Sequence, residues 1–148
     1  MSNTMRTEFC ALAENEAFAR AVAAAFVMPL DPTVEELTEI KTAVSEAVSN
    51  SIIHGYAECS DRQKAMVVME CTVSKNGKLI ISVEDYGVGI EDVEQAMEPM
   101  FSTGDDEERS GMGFTVMESF MDRLKVKSER GKGTTVIMTK YLDIVSGI

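Results

Sequence analysis

Residues 84–90 read Glu-Asp-Tyr-Gly-Val-Gly-Ile, and they follow an apolar run at residues 79–83 that predicts a β-strand. Asp85 therefore stands at the end of a strand, with Gly87 and Gly89 close behind it. Glycine tolerates positive φ and allows a ligand to approach the backbone closely. A carboxylate beside such a turn can accept a hydrogen bond from an amine on a flat ring, as in adenine. An ordinary surface loop gives the same pattern, so both interpretations remain open at this motif.

Composition limits the class of protein. The 148 residues include 25 acidic and 14 basic ones, for a net charge of −11, so we expect one domain over residues 1–148 and no direct nucleic-acid partner. No apolar run approaches the roughly 20 residues that span a bilayer, and no signal peptide is evident. We therefore expect a cytoplasmic protein without a membrane partner. One histidine and three cysteines without paired spacing predict neither a multi-histidine metal site nor a disulfide framework.

The order of helices and strands follows from periodicity and turn residues. We predict a first strand at residues 7–12, followed by a helix capped by Asn15 with Phe18 on its apolar face. A second helix begins at a Thr33–Glu36 capping box and ends near residues 54–55. The pattern then predicts strands at 65–73 and 78–84 around an Asn-Gly turn, helices at 91–97 and 113–121, and strands at 124–128 and 134–142. The fold class is α+β, a two-layer sandwich whose mixed, mainly antiparallel sheet is covered on one face by helices.

A long irregular segment at about residues 98–112 predicts a lid. Gly104 and Gly111 are candidate hinges, and Arg109 is the only cation of an acidic stretch. Arg109 either contacts a γ-phosphate or neutralises its acidic neighbours. Gly111 and Gly113 precede a helix, where backbone N–H groups and the helix dipole favour an anion; a flexible hinge is the other interpretation.

Glu46 and Asn50 lie four residues apart and share one face of the second helix, at the border of its apolar stripe. Asn50 offers an oxygen to Mg²⁺, and Glu46 is a candidate general base; a solvated face is the alternative. Residues 131–135, Gly-Lys-Gly-Thr-Thr, lack the spacing of a phosphate-binding P-loop and precede a strand, so we predict a hairpin turn from which Thr134 can reach a base.

Four motifs occur in one order along the chain: Glu46 with Asn50, Asp85 with Gly87 and Gly89, Gly111 with Gly113, and Gly133 with Thr134. This arrangement resembles the ATP-binding fold shared by gyrase, the Hsp90 chaperone, histidine kinases and the mismatch-repair protein MutL. Residues 37–56 and 108–117 are similar, more specifically, to the anti-sigma F factors of spore-forming bacteria.

The resemblance implies a homodimeric protein-serine kinase that uses ATP and Mg²⁺. It also implies two protein partners, a sporulation sigma factor held inactive with ATP bound and an anti-anti-sigma protein phosphorylated on a serine. Glu46 would be the catalytic base and Asn50 the Mg²⁺ ligand. The resemblance further assigns the adenine amine to Asp85 and the base pocket to Gly87, Gly89 and Thr134. It implies that Gly111 and Gly113 cradle the phosphates, that Arg109 is a catalytic residue near the γ-phosphate, and that Thr103 binds the cofactor. The protein partners would contact Glu16 and Arg20.

One departure and three alternatives qualify the resemblance. Relatives often carry a lysine where Gly104 stands, so a phosphate contact from a lid lysine is not expected. The alternatives are an ATP-gated sigma-binding module without catalysis, an anti-sigma kinase of the general stress response, and the ATPase fragment of a chaperone, topoisomerase or histidine kinase. The presence of Glu46 favours catalysis, since a pure binding module has no need of a base.

Overall fold

The computed structural model describes residues 2–98 and 113–143. In chain order the helices and strands are β1 Ser2–Cys10, α1 Asn15–Val27, a 3₁₀ turn Met28–Leu30, α2 Val34–Asn50, a π-helical turn Ser51–Gly55, β2 Met66–Ser74, β3 Lys78–Asp85, α3 Val93–Ala96, α4 Gly113–Phe120, β4 Arg123–Glu129 and β5 Gly133–Tyr141. The described part of the chain contains no helix long and apolar enough to cross a membrane.

The five strands form one sheet in the order β1-β2-β3-β5-β4. All four pairings are antiparallel, so the described sheet has no parallel pair, where the sequence had suggested a mixed sheet. The reason is that hairpins join β2 to β3 and β4 to β5, and β2 returns antiparallel to β1 after the two long helices. The register aligns Asp85 with Val67 on one side and Thr134 on the other, and Thr134 with Ser128.

The helices cover one face of this sheet. Alternate residues of β3, namely Leu79, Ile81 and Val83, are fully buried, whereas the residues between them are half-buried. The α+β two-layer class is therefore confirmed. The helical side of the core is closed by buried residues of α1 and α2: Ala19, Ala23, Val27, Ile40, Ala43, Val44, Ala47 and Val48.

Two expectations for the first helix are wrong. Asn15 does not cap it: Asn15 is its first residue, and its side-chain amide instead donates to the Cys10 carbonyl at 2.9 Å. Phe18 is 47% exposed, since small residues (Ala19 and Ala23) occupy the buried face. The first strand, predicted at residues 7–12, spans Ser2–Cys10.

Two hydrogen-bonded ends fix the helices that carry the site. The Thr33 hydroxyl accepts from the Glu36 N–H at 3.0 Å, and the Glu36 carboxylate accepts from the Thr33 N–H at 2.9 Å, which confirms the capping box. Near the same end of α2, Lys140 donates to the Phe120 carbonyl at 2.7 Å and lies 3.4 Å from Glu39. This lysine therefore ties the last turn of α4 to α2.

We expect Thr33→Ala to lower the free energy of unfolding by about 1 kcal/mol, because the Glu36 N–H loses its acceptor at the helix start. Thr38→Ala is the matched control, since that hydroxyl only back-bonds to the Val34 carbonyl within the same helix. Urea unfolding measures both variants. A loss for Thr38→Ala as large as that for Thr33→Ala would contradict the capping role.

Candidate functional site

The Asp85 carboxylate is the centre of the site. It is 3% exposed at the end of β3 and accepts a hydrogen bond from the Gly87 N–H at 3.0 Å. Burial raises the pKa of this carboxyl; hydrogen bonds from the Gly87 N–H, the Ser51 hydroxyl and the Thr134 N–H oppose the rise. The folded protein therefore holds the Asp85 carboxylate, a hydrogen-bond acceptor, where water solvates its charge poorly.

Glycines make room for this carboxylate by letting backbone segments touch. A Cβ on Gly55 would lie 2.8 Å from the carboxylate carbon of Asp85, and a Cβ on Gly87 would lie 1.8 Å from the Gly55 carbonyl oxygen. A Cβ on Gly133 would lie 2.1 Å from the Asp85 carbonyl oxygen, and Gly133 also has a positive φ of 99°. Side chains at these positions would therefore force the π-helical turn, β3 and β5 apart.

The turn after β3 is held by the β4–β5 hairpin. The Ser128 hydroxyl accepts from the Ile90 N–H at 2.7 Å and donates to the Gly133 carbonyl at 3.0 Å. It also lies 2.7 Å from the Thr134 hydroxyl. A Cβ on Gly89 would lie 2.1 Å from the Glu129 carbonyl oxygen. Gly89 and Thr134 thus lie beside the Asp85 turn.

Glu46, Asn50 and Gly113 meet at a second position. Glu46 and Asn50 project from the last turns of α2, and α4 begins at Gly113. A Cβ on Gly113 would lie 3.1 Å from Glu46 Oε2 and 3.2 Å from Asn50 Nδ2. The start of α4 therefore lies against both candidate residues, and Asn50 directly precedes Ser51, which bonds to Asp85. The two motifs belong to one site.

The oxygen atoms of Glu46 and Asn50 fit Mg²⁺ only if a bound phosphate ligand supplies further oxygen atoms. Asn50 offers one amide oxygen and Glu46 one carboxylate, both hard oxygen donors. In the described ranges no three His, Cys, Asp or Glu side chains come together as a metal site. Magnesium typically takes one or two protein oxygens together with substrate phosphates, and the residues present fit that arrangement.

The remaining candidates fall into two groups. Glu16 and Arg20 form an ion pair at 3.5 Å on α1, and Arg20 also donates to the Ser45 hydroxyl at 3.3 Å. The pair therefore lies on the helical layer, where Arg20 contacts α2 at the residue before Glu46. Thr103, Arg109 and Gly111, with the proposed hinge Gly104 and nearly all of the lid, lie outside the described residues.

Three residues of the site were not predicted from the sequence as site residues. Ser51 bonds to Asp85, Gly55 contacts its carboxylate, and Ser128 joins three backbone segments. Gly55 was predicted only as a helix end, and nothing in the sequence around it indicated a contact with residue 85. Ser128 carried no signal beyond its inward position on an alternating strand.

With this geometry in place, the class of protein follows. Residues 9–140 match the family model described as the histidine kinase-like ATPase domain, so the chain carries this domain. Among curated proteins, the anti-sigma F factor of Clostridium perfringens (strain SM101 / Type A) is 54% identical over 143 residues, covering 97% of this chain and 99% of its own. That of Clostridium novyi (strain NT) is 55% identical, covering 95% of each chain. The chain belongs to the anti-sigma F factor family.

Solved structures agree on the fold. The structure of the RsbU and RsbW domains of a Mycobacterium tuberculosis protein superposes with a TM-score of 0.68 at 19% identity, covering 96% of this chain and 32% of the other. A chain in the structure of the SiaB–SiaC complex from Pseudomonas aeruginosa gives a TM-score of 0.69 at 8% identity, covering 91% of this chain and 88% of the other. At these identities the likeness concerns the fold alone.

We expect Asp85→Asn to raise the free energy of unfolding relative to the wild type at pH 7, because it removes a charge that burial disfavours. Since the folded state raises this pKa, the wild type gains relative stability as pH falls through the raised value, so the difference should shrink towards about pH 4. Urea unfolding at both pH values measures it. Glu58→Gln, at an exposed position, is the control. A difference that grows as the pH falls would contradict the raised pKa.

Proposed function

We propose that this protein is an ATP-dependent protein-serine kinase that also holds a sporulation sigma factor inactive while ATP is bound. Its phosphoryl acceptor would be a serine of an anti-anti-sigma protein. The observation that carries the proposal is the meeting of Glu46, Asn50 and the start of α4 in one site with the buried Asp85. Membership of the anti-sigma F factor family supports the choice of partners.

In this proposal Asp85 recognises the base. Its carboxylate accepts a hydrogen bond from the adenine amine, while Gly87 and Gly89 leave room for the flat ring. Thr134 lies opposite Asp85 in the register of β3 and β5, with its hydroxyl near that of Ser128. The two hydroxyls add polar contacts at the rim of the base pocket.

Glu46 would act as the general base. Its carboxylate removes the proton from the attacking serine hydroxyl, the serine oxygen forms a bond to the γ-phosphorus, and the bond to the ADP oxygen breaks. Asn50 would supply one oxygen ligand to Mg²⁺, which neutralises phosphate charge when it is bound. Backbone N–H groups at Gly111 and Gly113, with Thr103 and Arg109 of the lid, are proposed to contact the phosphates.

The protein partners would meet the helical layer. Glu16 and Arg20 are proposed to contact them, with Arg20 more important for the sigma factor. Both side chains are part-exposed although they pair with each other, so they remain accessible. A homodimer in the cytoplasm completes the proposal.

The first test is phosphoryl transfer from [γ-³²P]ATP with Mg²⁺ to the anti-anti-sigma protein of the same genome. We expect label on the wild-type acceptor and none on its serine-to-alanine variant. Glu46→Gln should keep ATP binding within about twofold, since the adenine pocket is unchanged. It should lower the transfer rate by at least about a hundredfold, because the carboxylate that accepts the serine proton is lost.

Lys64→Gln is a control for Glu46→Gln, because this exposed side chain pairs only with Asp61 among the described residues. Unchanged transfer by Glu46→Gln would remove Glu46 as the base. ATP binding without any transfer by the wild type would favour the ATP-gated binding module instead.

A second test concerns Arg20. We expect Arg20→Ala to weaken binding of the sigma factor at least about tenfold, because it removes a central cation from the proposed interface. Phosphoryl transfer should stay within about twofold if α1 does not take part in the reaction. Arg123→Ala, an exposed arginine on β4, is the matched control in calorimetry with ATP present. Equal sigma affinity for the two variants would contradict the proposed contact.

A further inference from the structure

Tyr56 joins three parts of the chain through its phenol. It follows the π-helical turn directly and is 7% exposed. Its hydroxyl accepts a hydrogen bond from the Tyr86 N–H at 2.8 Å and donates one to the Met66 carbonyl at 2.6 Å. Both backbone partners are satisfied by one side-chain oxygen that water does not reach freely.

The N–H that Tyr56 holds belongs to the residue between Asp85 and Gly87. The Gly55 carbonyl, one residue before Tyr56, accepts from the Val88 N–H at 2.8 Å. Two consecutive residues after α2 therefore hold the turn that follows β3 at two points. Since Gly87 itself donates to the Asp85 carboxylate, the direction of that carboxylate depends on where this turn lies.

The turn that presents Tyr56 has its own support. Ser51–Gly55 is a π-helical turn, and such turns leave helix carbonyls without their usual partners. Arg62 donates to the Ile52 carbonyl and, at 3.4 Å, to the Ala11 carbonyl. Tyr56 is therefore presented from a fixed backbone and is not free to follow the turn after β3.

We infer that Tyr56 is a positioning residue for base recognition: its phenol sets the turn at Tyr86 and Gly87 so that the Asp85 carboxylate faces the 6-amino group of the purine. This inference rests on the proposed binding of ATP. Tyr56 contacts no ligand in this role; it acts through the Tyr86 N–H. A tyrosine that only fills the core would affect stability but not the choice between purines.

The test compares ATP with purine riboside 5′-triphosphate, which lacks the 6-amino group, in direct binding measurements with Mg²⁺. Loss of one well-placed hydrogen bond corresponds to about a tenfold change in affinity. We expect Tyr56→Phe to weaken ATP binding about 5- to 20-fold and binding of the analogue by less than about twofold. Tyr141→Phe is the matched control, because this phenol is 49% exposed at the far end of β5.

Equal losses for the two nucleotides, or none for ATP, would overturn the positioning role. Asp85→Asn, measured beside Tyr56→Phe, separates this failure from that of the proposed function. If the wild type does not prefer ATP, or if Asp85→Asn keeps the preference, the adenine site is wrong and the inference falls with it. If only Tyr56→Phe keeps the preference, the inference alone is overturned.

Amide hydrogen exchange on the wild type tests the same contact without a variant. We expect the Tyr86 N–H to exchange much more slowly than an exposed amide even without nucleotide, because Tyr56 accepts its proton. Exchange as fast as that of an exposed amide without a hydrogen-bond acceptor would overturn the inference, even if Tyr56→Phe failed to fold.

Discussion

The buried carboxylate of Asp85 is the constraint on which the rest of the site depends. A charge can be buried only when hydrogen bonds replace water, and here they come from the Ser51 hydroxyl and from two backbone N–H groups. To supply them, the end of α2, the turn after β3 and the start of β5 must approach within contact distance. The glycines at 55, 87 and 133 are the consequence, because each stands where a Cβ would overlap a neighbouring group.

This arrangement places the end of α2 next to both Gly113 and Asp85. The side chains of Glu46 and Asn50 project from the regular part of α2 and lie against Gly113. The next five residues form a wider, π-helical turn beside Asp85. A regular helix would place Gly55 differently, so the widening allows the end of one helix to lie against both Gly113 and Asp85. Family membership and site geometry therefore support the same proposal from separate observations.

Local signals in the sequence were sufficient for much of the fold. The Thr33 capping box and the Asn76-Gly77 turn were predicted because their hydrogen bonds join neighbours, and Gly77 has the positive φ of 87° that such a turn needs. Gly55 was missed as a site residue because its contact with Asp85 spans some thirty residues, and Ser128 was missed because its bond to the Ile90 N–H spans 38. Asn15 was assigned wrongly as a helix cap because its side-chain amide donates to the Cys10 carbonyl, and helix-capping propensities do not predict such a contact.

The position of β1 at the sheet edge has a consequence for how the chain is made. Phe9 pairs with Val67, so β1 leaves the ribosome before β2 and cannot form this pairing until β2 has also emerged. The helices α1 and α2 lie between them and depend mainly on local hydrogen bonds, so they can form in the interval. During synthesis β1 therefore has unpaired backbone groups until β2 is available. Its exposed polar residues, Thr4, Arg6 and Glu8, oppose pairing with other nascent chains.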